Sequence, residues 1–430
     1  MSSVMRLAAL TGGLVFAAVI AGIAPKVERD AQWQIKCTLH PVSDSALIEV
    51  TRLVVYSHSI DLKVRPSMLY PADIRPLTGL RFVAAFWLLI YFFWERFDLG
   101  PRDSIGLVHA GNYGVDLFFI LSGFVLAHVY GPQVEAKTFS WRSFVWARLA
   151  RIYPLHLICL AAMIAIWAAG SLMGATFKAS AFVVEQIPYH LALLHAWGLV
   201  ASDGWNFPSW SISAEWFAYL TFPISFGIAA LFAKRPLIGV ILMTAVFAAF
   251  VAWMRLYNIE LMNMTWQGGI VRIVPSFGMG IALWLLGRNL TLPKGVAGLG
   301  VAISAIWVAM TAAWNWPSYW IWPGLAGLVF FLAETSKSNQ APLLASKTWV
   351  YLGEISFAAY MVHLPVDIAL YQIVERVIGE PKGTLALVIG VGGVLASIVV
   401  AAIAHALVEK PARNWLRANI PSFMSGKPKA

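Results

Sequence analysis

The sequence predicts an all-α bundle of about ten membrane-crossing helices, with both ends of that domain in the cytoplasm. Three observations carry this. The 430 residues are 60 % hydrophobic and 12 % charged, with a mean hydropathy of +0.72, whereas a soluble domain carries about 25 % charged residues. Twenty Trp and twenty-five Phe add to the signal, because Trp gathers at bilayer interfaces. Mainly apolar stretches of about 17–25 residues, the length that crosses a bilayer as a helix, recur along the chain. The net charge of +10 is expected from basic cytoplasmic loops and is no nucleic-acid footprint. Two cysteines, Cys37 and Cys159, exclude a disulfide framework and a cysteine-based zinc site.

The expected spans are 77–96, 113–131, 152–173, 210–232, 236–255, 268–286, 295–313, 318–334, 355–373 and 384–408. Orientation follows from the bias of Lys and Arg toward cytoplasmic connections. With the first span starting inside, the inner connections and tail hold fifteen of them, from Lys137 to Lys429, and the outer loops hold Arg102, Lys178, Arg376 and Lys382. The apolar stretch 185–200 is read as part of a long, partly embedded outer loop, 174–209. An eleventh span there would put Lys234 and Arg235 outside.

Residues 1–67 are expected to be a separate extension. "MRLAALTGGLVFAAVIAGIAP" has the basic start and apolar run of a signal or anchor. Either use would send the following residues outward, against the charge bias, so 1–67 is expected to be dispensable. The membrane domain then covers 68–410 and a basic cytoplasmic tail 411–430.

Each ionisable residue inside a span is a candidate site residue, because placing it there costs several kcal/mol. The predicted topology sorts them into two levels. Arg81, His128, Arg148, Arg151 and His156 fall near the inner face; Glu95, Asp116, Glu215 and Arg272 fall near the outer face. Glu354 starts a span and His363, deeper in it, reads first as a packing histidine. "RLARIYPLHL" places Arg148 and Arg151 one short turn apart, beside Tyr153, where guanidinium groups can grip phosphate bidentately; positive-inside anchoring is the plainer account. In "GVDLFFILSGFVLAHVY", Asp116 needs a partner, while Ser122 and Gly123 suit close helix packing. "GWNFPSWSISAEWFAYLTFP" offers Trp205, Asn206, Ser211 and Glu215, aromatic faces beside amide, hydroxyl and carboxylate groups that suit a sugar acceptor. Arg272 falls near the same depth and suits an ion pair with Glu215 or Asp116. No metal-ligand set, catalytic serine motif or phosphate-binding glycine loop is present.

These segments, with "IRPLTGLRFVAAFW", "YLGEISFAAYMVHLPV" and "VEKPARNWL", occur in an order that resembles the integral-membrane acyltransferase 3 family from about Ile74 to Arg413. The resemblance implies a single-domain membrane O-acyltransferase of the bacterial inner membrane and cell envelope. Such an enzyme moves an acyl group, with acetyl expected first, from cytoplasmic acyl-CoA to a hydroxyl of a surface glycan or lipid-linked acceptor. It implies donor binding by Arg81, Arg148, Arg151 and Tyr153, and acceptor binding by Trp205, Asn206, Ser211 and Arg272. Chemistry is expected from Arg81, Glu95, Asp116 and Glu215, with no metal. A transporter or flippase, or an inactive scaffold, is the alternative class.

The family pairs a first-span Arg with a His eleven positions later. Arg81 fits the Arg, but the His position is Phe92. Phenylalanine can neither take nor give a proton, as an imidazole does near neutral pH. Three accounts follow: the chain is catalytically silent, Glu95 or His109 stands in for the imidazole, or Phe92 is an artefact.

Overall fold

The computed structural model describes residues 70–421 and 424, apart from 175, 176, 179, 291, 294 and 339–342. The expected extension 1–67 lies outside the described residues. Helices form at all ten expected stretches: α1 Arg75–Phe93, α2 Gly114–Glu135, α3 Trp141–Leu172, α4 Trp210–Ala230, α5 Pro236–Arg255, α6 Gly269–Gly287, α7 Val296–Ala313, α8 Ile321–Thr335, α9 Lys347–Ile378 and α10 Gly383–Ala404. Among the described residues, eight helical segments are long and apolar enough to cross a membrane. The other two stretches are α4 and α8. Ser211, Ser213 and Glu215 make the first half of α4 polar, and α8 has only 15 residues. The chain is an all-α, polytopic integral membrane protein.

Local sequence sets several boundaries. Pro76 falls in the first turn of α1, where its fixed φ suits a helix and its missing N–H loses nothing. Ser140 caps α3 by accepting the Ser143 N–H at 3.4 Å. Helix α9 stops at Gly379, whose φ of 75° is open to glycine. The loop 174–209 forms only short helical turns among its described residues, as expected for a loop rather than a span.

Helix α6 is the centre of the bundle: 83 % of its most apolar window is buried, against 17 % for the peripheral α5. It packs on α2, α4 and α5. Its contact with α2 depends on two glycines. A Cβ on Gly123 would overlap the Phe277 carbonyl, and one on Gly280 would overlap the Ile120 carbonyl. Small residues let backbones approach in this way when no hydrophobic effect drives helices together in lipid. Helices α1 and α9 run parallel: Gly353 abuts Thr78, His363 abuts Phe92, and Arg96 pairs with Asp367 at 3.0 Å.

After α10 the backbone makes one π turn, His405–Glu409, before α11, Lys410–Ala418. The Trp146 indole donates to the Leu416 carbonyl at 2.7 Å, docking α11 on α3. Residues 411–418 of the expected tail are thus a helix packed on the bundle.

Candidate functional site

Five helices bring side chains to one cavity of about 150 Å³. Helix α2 contributes a row from Val115 to Leu126 that includes Ser122; α4 contributes Ser211, Glu215 and Tyr219; α9 contributes Phe357 and Tyr360. Arg81 from α1 and Arg148 and Arg151 from α3 complete the lining. The space is elongated, because Val115 and Leu126 are separated by about 16 Å of helical rise. Arg81 in the first half of α1, and Tyr219 midway along α4, mark one end. Val115, Ser211 and Tyr360 mark the other.

Charge is uneven along this cavity. Arg81 and Arg151 form no ion pair among the described residues. Arg148 donates from Nη2 to the Tyr130 hydroxyl at 3.1 Å, and its Nε is buried without a partner. Glu215 is the cavity's one carboxylate among the described residues, and it accepts a hydrogen bond from the Ser122 hydroxyl at 2.6 Å. Three cations against one anion leave a site that favours a polyanion. Gly123 and Ser122 divide their work: the glycine admits α6, and the neighbouring serine turns to Glu215.

Asp116 and Arg272 meet elsewhere. They form a two-point ion pair, at 2.6 and 3.1 Å, with both side chains 1 % exposed. Arg272 also donates to the carbonyls of Met264 and Asn112, and its guanidinium lies 5.1 Å from the Trp210 ring centroid. The pair joins α2 to α6 and does not line the cavity.

The other candidates separate as well. Glu95 is exposed and pairs with Arg102 at 2.8 Å. His109 pairs with Asp103 at 2.7 Å and borders a different surface hollow. Tyr153 donates to the Leu191 carbonyl at 3.0 Å, tying α3 to the loop 174–209. Trp205 is buried in that loop and donates to the Val183 carbonyl at 2.9 Å. Asn206 reaches α9, donating to the Met361 carbonyl at 3.2 Å, while its Oδ1 is buried without a partner. Ser211 lines the far end of the cavity and donates to the Pro208 carbonyl at 3.1 Å.

Two histidine features go beyond what the sequence indicated. His156, His190 and His195 stack, with ring centroids 4.0 Å apart for His190–His195 and 5.9 Å for His156–His195. His195 Nε2 lies 3.0 Å from the Ser209 hydroxyl. Burial, then the neighbouring His156, pushes the His190 imidazole down to about 3, so it stays neutral. The trio pins the loop to α3. The second is His363, 1 % exposed, whose ring centroid lies 4.5 Å from that of Phe92. Only the spacing of α1 and α9 reveals that contact, since the two residues are far apart in sequence.

Comparison with known proteins agrees with this architecture. A family model described as an acyltransferase domain matches residues 75–406. An acyltransferase of Streptomyces mycarofaciens, MdmB, is 30 % identical over 376 residues, which cover 79 % of this chain and 92 % of that protein. A Rhizobium radiobacter protein, protein 2 in the picA locus, is 42 % identical over 89 residues, 21 % of this chain and 43 % of that protein. No solved structure matches the chain. With a family match over most of its length and an acyltransferase relative aligned nearly end to end, the chain belongs to the acyltransferase 3 family and is a membrane acyltransferase.

Proposed function

We propose that this acyltransferase takes a short acyl group, acetyl first, from cytoplasmic acyl-CoA and delivers it to a hydroxyl of a glycan or lipid-linked acceptor in the cell envelope. The observation that carries the reading is the cavity, lined by Arg81, Arg148 and Arg151 toward one end and by Ser211 and Tyr360 toward the other. The phosphates of CoA suit the arginine end, since guanidinium groups hold phosphate oxygens bidentately. The pantetheine arm then runs along the cavity, carrying the thioester to the far end. Glu215, held by Ser122, balances the arginine charges when no donor is bound and aligns them when one is. The arginine end is assigned to the cytoplasm by the charge of the connections. No metal takes part in this scheme. Residues 68–410 form the working domain and 1–67 are dispensable to it.

The test compares two donors. The purified chain in lipid vesicles, with an envelope lipid extract as acceptor, is given radiolabelled acetyl-CoA or acetyl-pantetheine, which lacks the phosphates. Label should move to an alkali-labile ester from acetyl-CoA, with acetyl-pantetheine a poor donor. Arg151→Gln should raise the KM for acetyl-CoA and leave transfer from acetyl-pantetheine unchanged. Equal use of the two donors by the wild type would sink the arginine assignment. No transfer from either would sink the thioester donor.

A further inference from the structure

His363 and Asn206 each present a buried polar atom with no partner; His363 stacks near Phe92, and Asn206 bonds to the Met361 carbonyl two residues before His363. His363 is 1 % exposed and Asn206 0 % exposed. The His363 Nδ1 lies 2.6 Å from the Tyr360 carbonyl, which can only accept, so Nδ1 carries the proton. Nε2 is therefore the basic nitrogen, and it is one of the buried atoms without a hydrogen bond. The Asn206 amide nitrogen is used on Met361, which leaves Oδ1 without one. Buried polar atoms are nearly always paired, so each orphan calls for an explanation.

The position of these atoms is informative. Tyr360 lines the far end of the cavity, and His363 is the next residue of that helix face, one turn on. Phe92 covers the imidazole from α1, and Phe207, next to Asn206, packs on Phe92 with ring centroids 6.4 Å apart. Tyr360 itself is tied down by donating to the Pro208 carbonyl at 2.8 Å, so it holds α9 against the loop 174–209. Glu95 and His109, the stand-ins suggested by sequence, face Arg102 and Asp103 instead.

We infer that His363 is the general base for acyl transfer in this chain, with Asn206 Oδ1 fixing the acceptor hydroxyl beside it. The inference rests on the proposed acyl-CoA donor. The acceptor hydroxyl gives its proton to His363 Nε2 as its oxygen bonds to the thioester carbonyl carbon. The carbon–sulfur bond then breaks. The thiolate of CoA leaves and takes the proton back from Nε2. An ester and a free thiol result, with no change of oxidation state. Phe92 keeps the imidazole face dry and fixes its ring, so a base contributed by α9 works where α1 contributes none.

The experiment uses the full chain in vesicles with radiolabelled acetyl-CoA and an envelope lipid extract. Two variants are made: His363→Gln, and His363→Asn, whose amide nitrogen can keep the bond to the Tyr360 carbonyl. Folding is followed by thermal unfolding, and donor binding by KM. Loss of a general base predicts a fall in kcat of about a hundredfold or more in either folded variant, with the KM for acetyl-CoA unchanged. In the His363→Gln background, Phe92→His should recover part of the lost kcat, because it returns an imidazole to the neighbouring ring position. A folded variant that keeps kcat within about threefold of wild type overturns the assignment to His363 while leaving the acyl-CoA reading intact. Failure of both variants to fold makes His363 a structural residue and overturns it too. A wild type inert with acetyl-CoA overturns the donor reading, and this inference with it.

Discussion

The bundle holds two groups of charges that the sequence places at similar risk, and they are solved in opposite ways. At the Asp116–Arg272 pair, the carboxylate meets a guanidinium at two points, and backbone carbonyls take further N–H groups. Neither residue lines the cavity. In the cavity, Arg81 and Arg151 lack ion-pair partners among the described residues and Arg148 keeps an idle Nε. An ion inside a membrane protein is costly in either place. In the first the cost is offset within the protein; in the second Glu215 offsets part of it and the remaining positive charge is left for a ligand. Intramembrane charge is therefore a guide to function only together with its partners.

Perturbing the two groups should give different signatures. Asp116→Ala leaves a buried guanidinium unpaired and should lower stability by about 3–5 kcal/mol, read as a large drop in unfolding temperature in detergent. A near-wild-type melt would dissolve the contrast. Arg81→Gln should do the reverse: stability held, and acetyl transfer from acetyl-CoA down by about a hundredfold, equivalent to about 2.7 kcal/mol of transition-state binding. A matching loss of stability would make Arg81 a second structural cation. Glu215→Gln keeps the hydrogen bond with Ser122 in modified form but removes the charge balance. An approximately tenfold rise in donor KM, about 1.4 kcal/mol, is the expected result, and an unchanged KM would count against its aligning role.

A pH-dependent effect concerns the histidine trio. His190 titrates near 3 in the folded chain and near 6.5 when unfolded. Its folded pKa is depressed, so the unfolded state binds the extra proton. Stability should fall as pH drops from about 6.5 toward 3, by at most about 1.4 kcal/mol per pH unit. Comparing the melting temperature of wild type and His190→Gln across that window isolates the contribution. Parallel curves would assign the slope to other groups.

Much of the fold was legible in the residues. Helices form at each of the ten expected apolar stretches, and the polar start of α4 and the short α8 explain why eight segments rather than ten are long and apolar enough to cross. Among its described residues the loop 174–209 holds no helix long enough to cross, as the charges at Lys234 and Arg235 predict. Pairings were less legible. Arg272 suited Glu215 or Asp116 equally from its depth; the structure gives Asp116. Ser122 looked like a packing residue, yet it and Glu215 are hydrogen-bonded across 93 positions of sequence. Trp205 and Asn206 are neighbours in sequence, but one anchors the loop and the other reaches α9.

Composition and charge bias alone determine that this chain is a membrane helix bundle, because apolar length and the distribution of Lys and Arg are properties of single segments facing lipid or water. The order of its motifs points to the acyltransferase 3 family. What each charge does is decided by tertiary structure. A helical residue's depth follows from its number, but its rotation about the helix axis and the neighbour it meets depend on how ten helices pack. Glycines at 123, 280 and 353 set that packing, and through it Asp116 becomes closed, Arg81 open, and His363 the imidazole lying against Phe92.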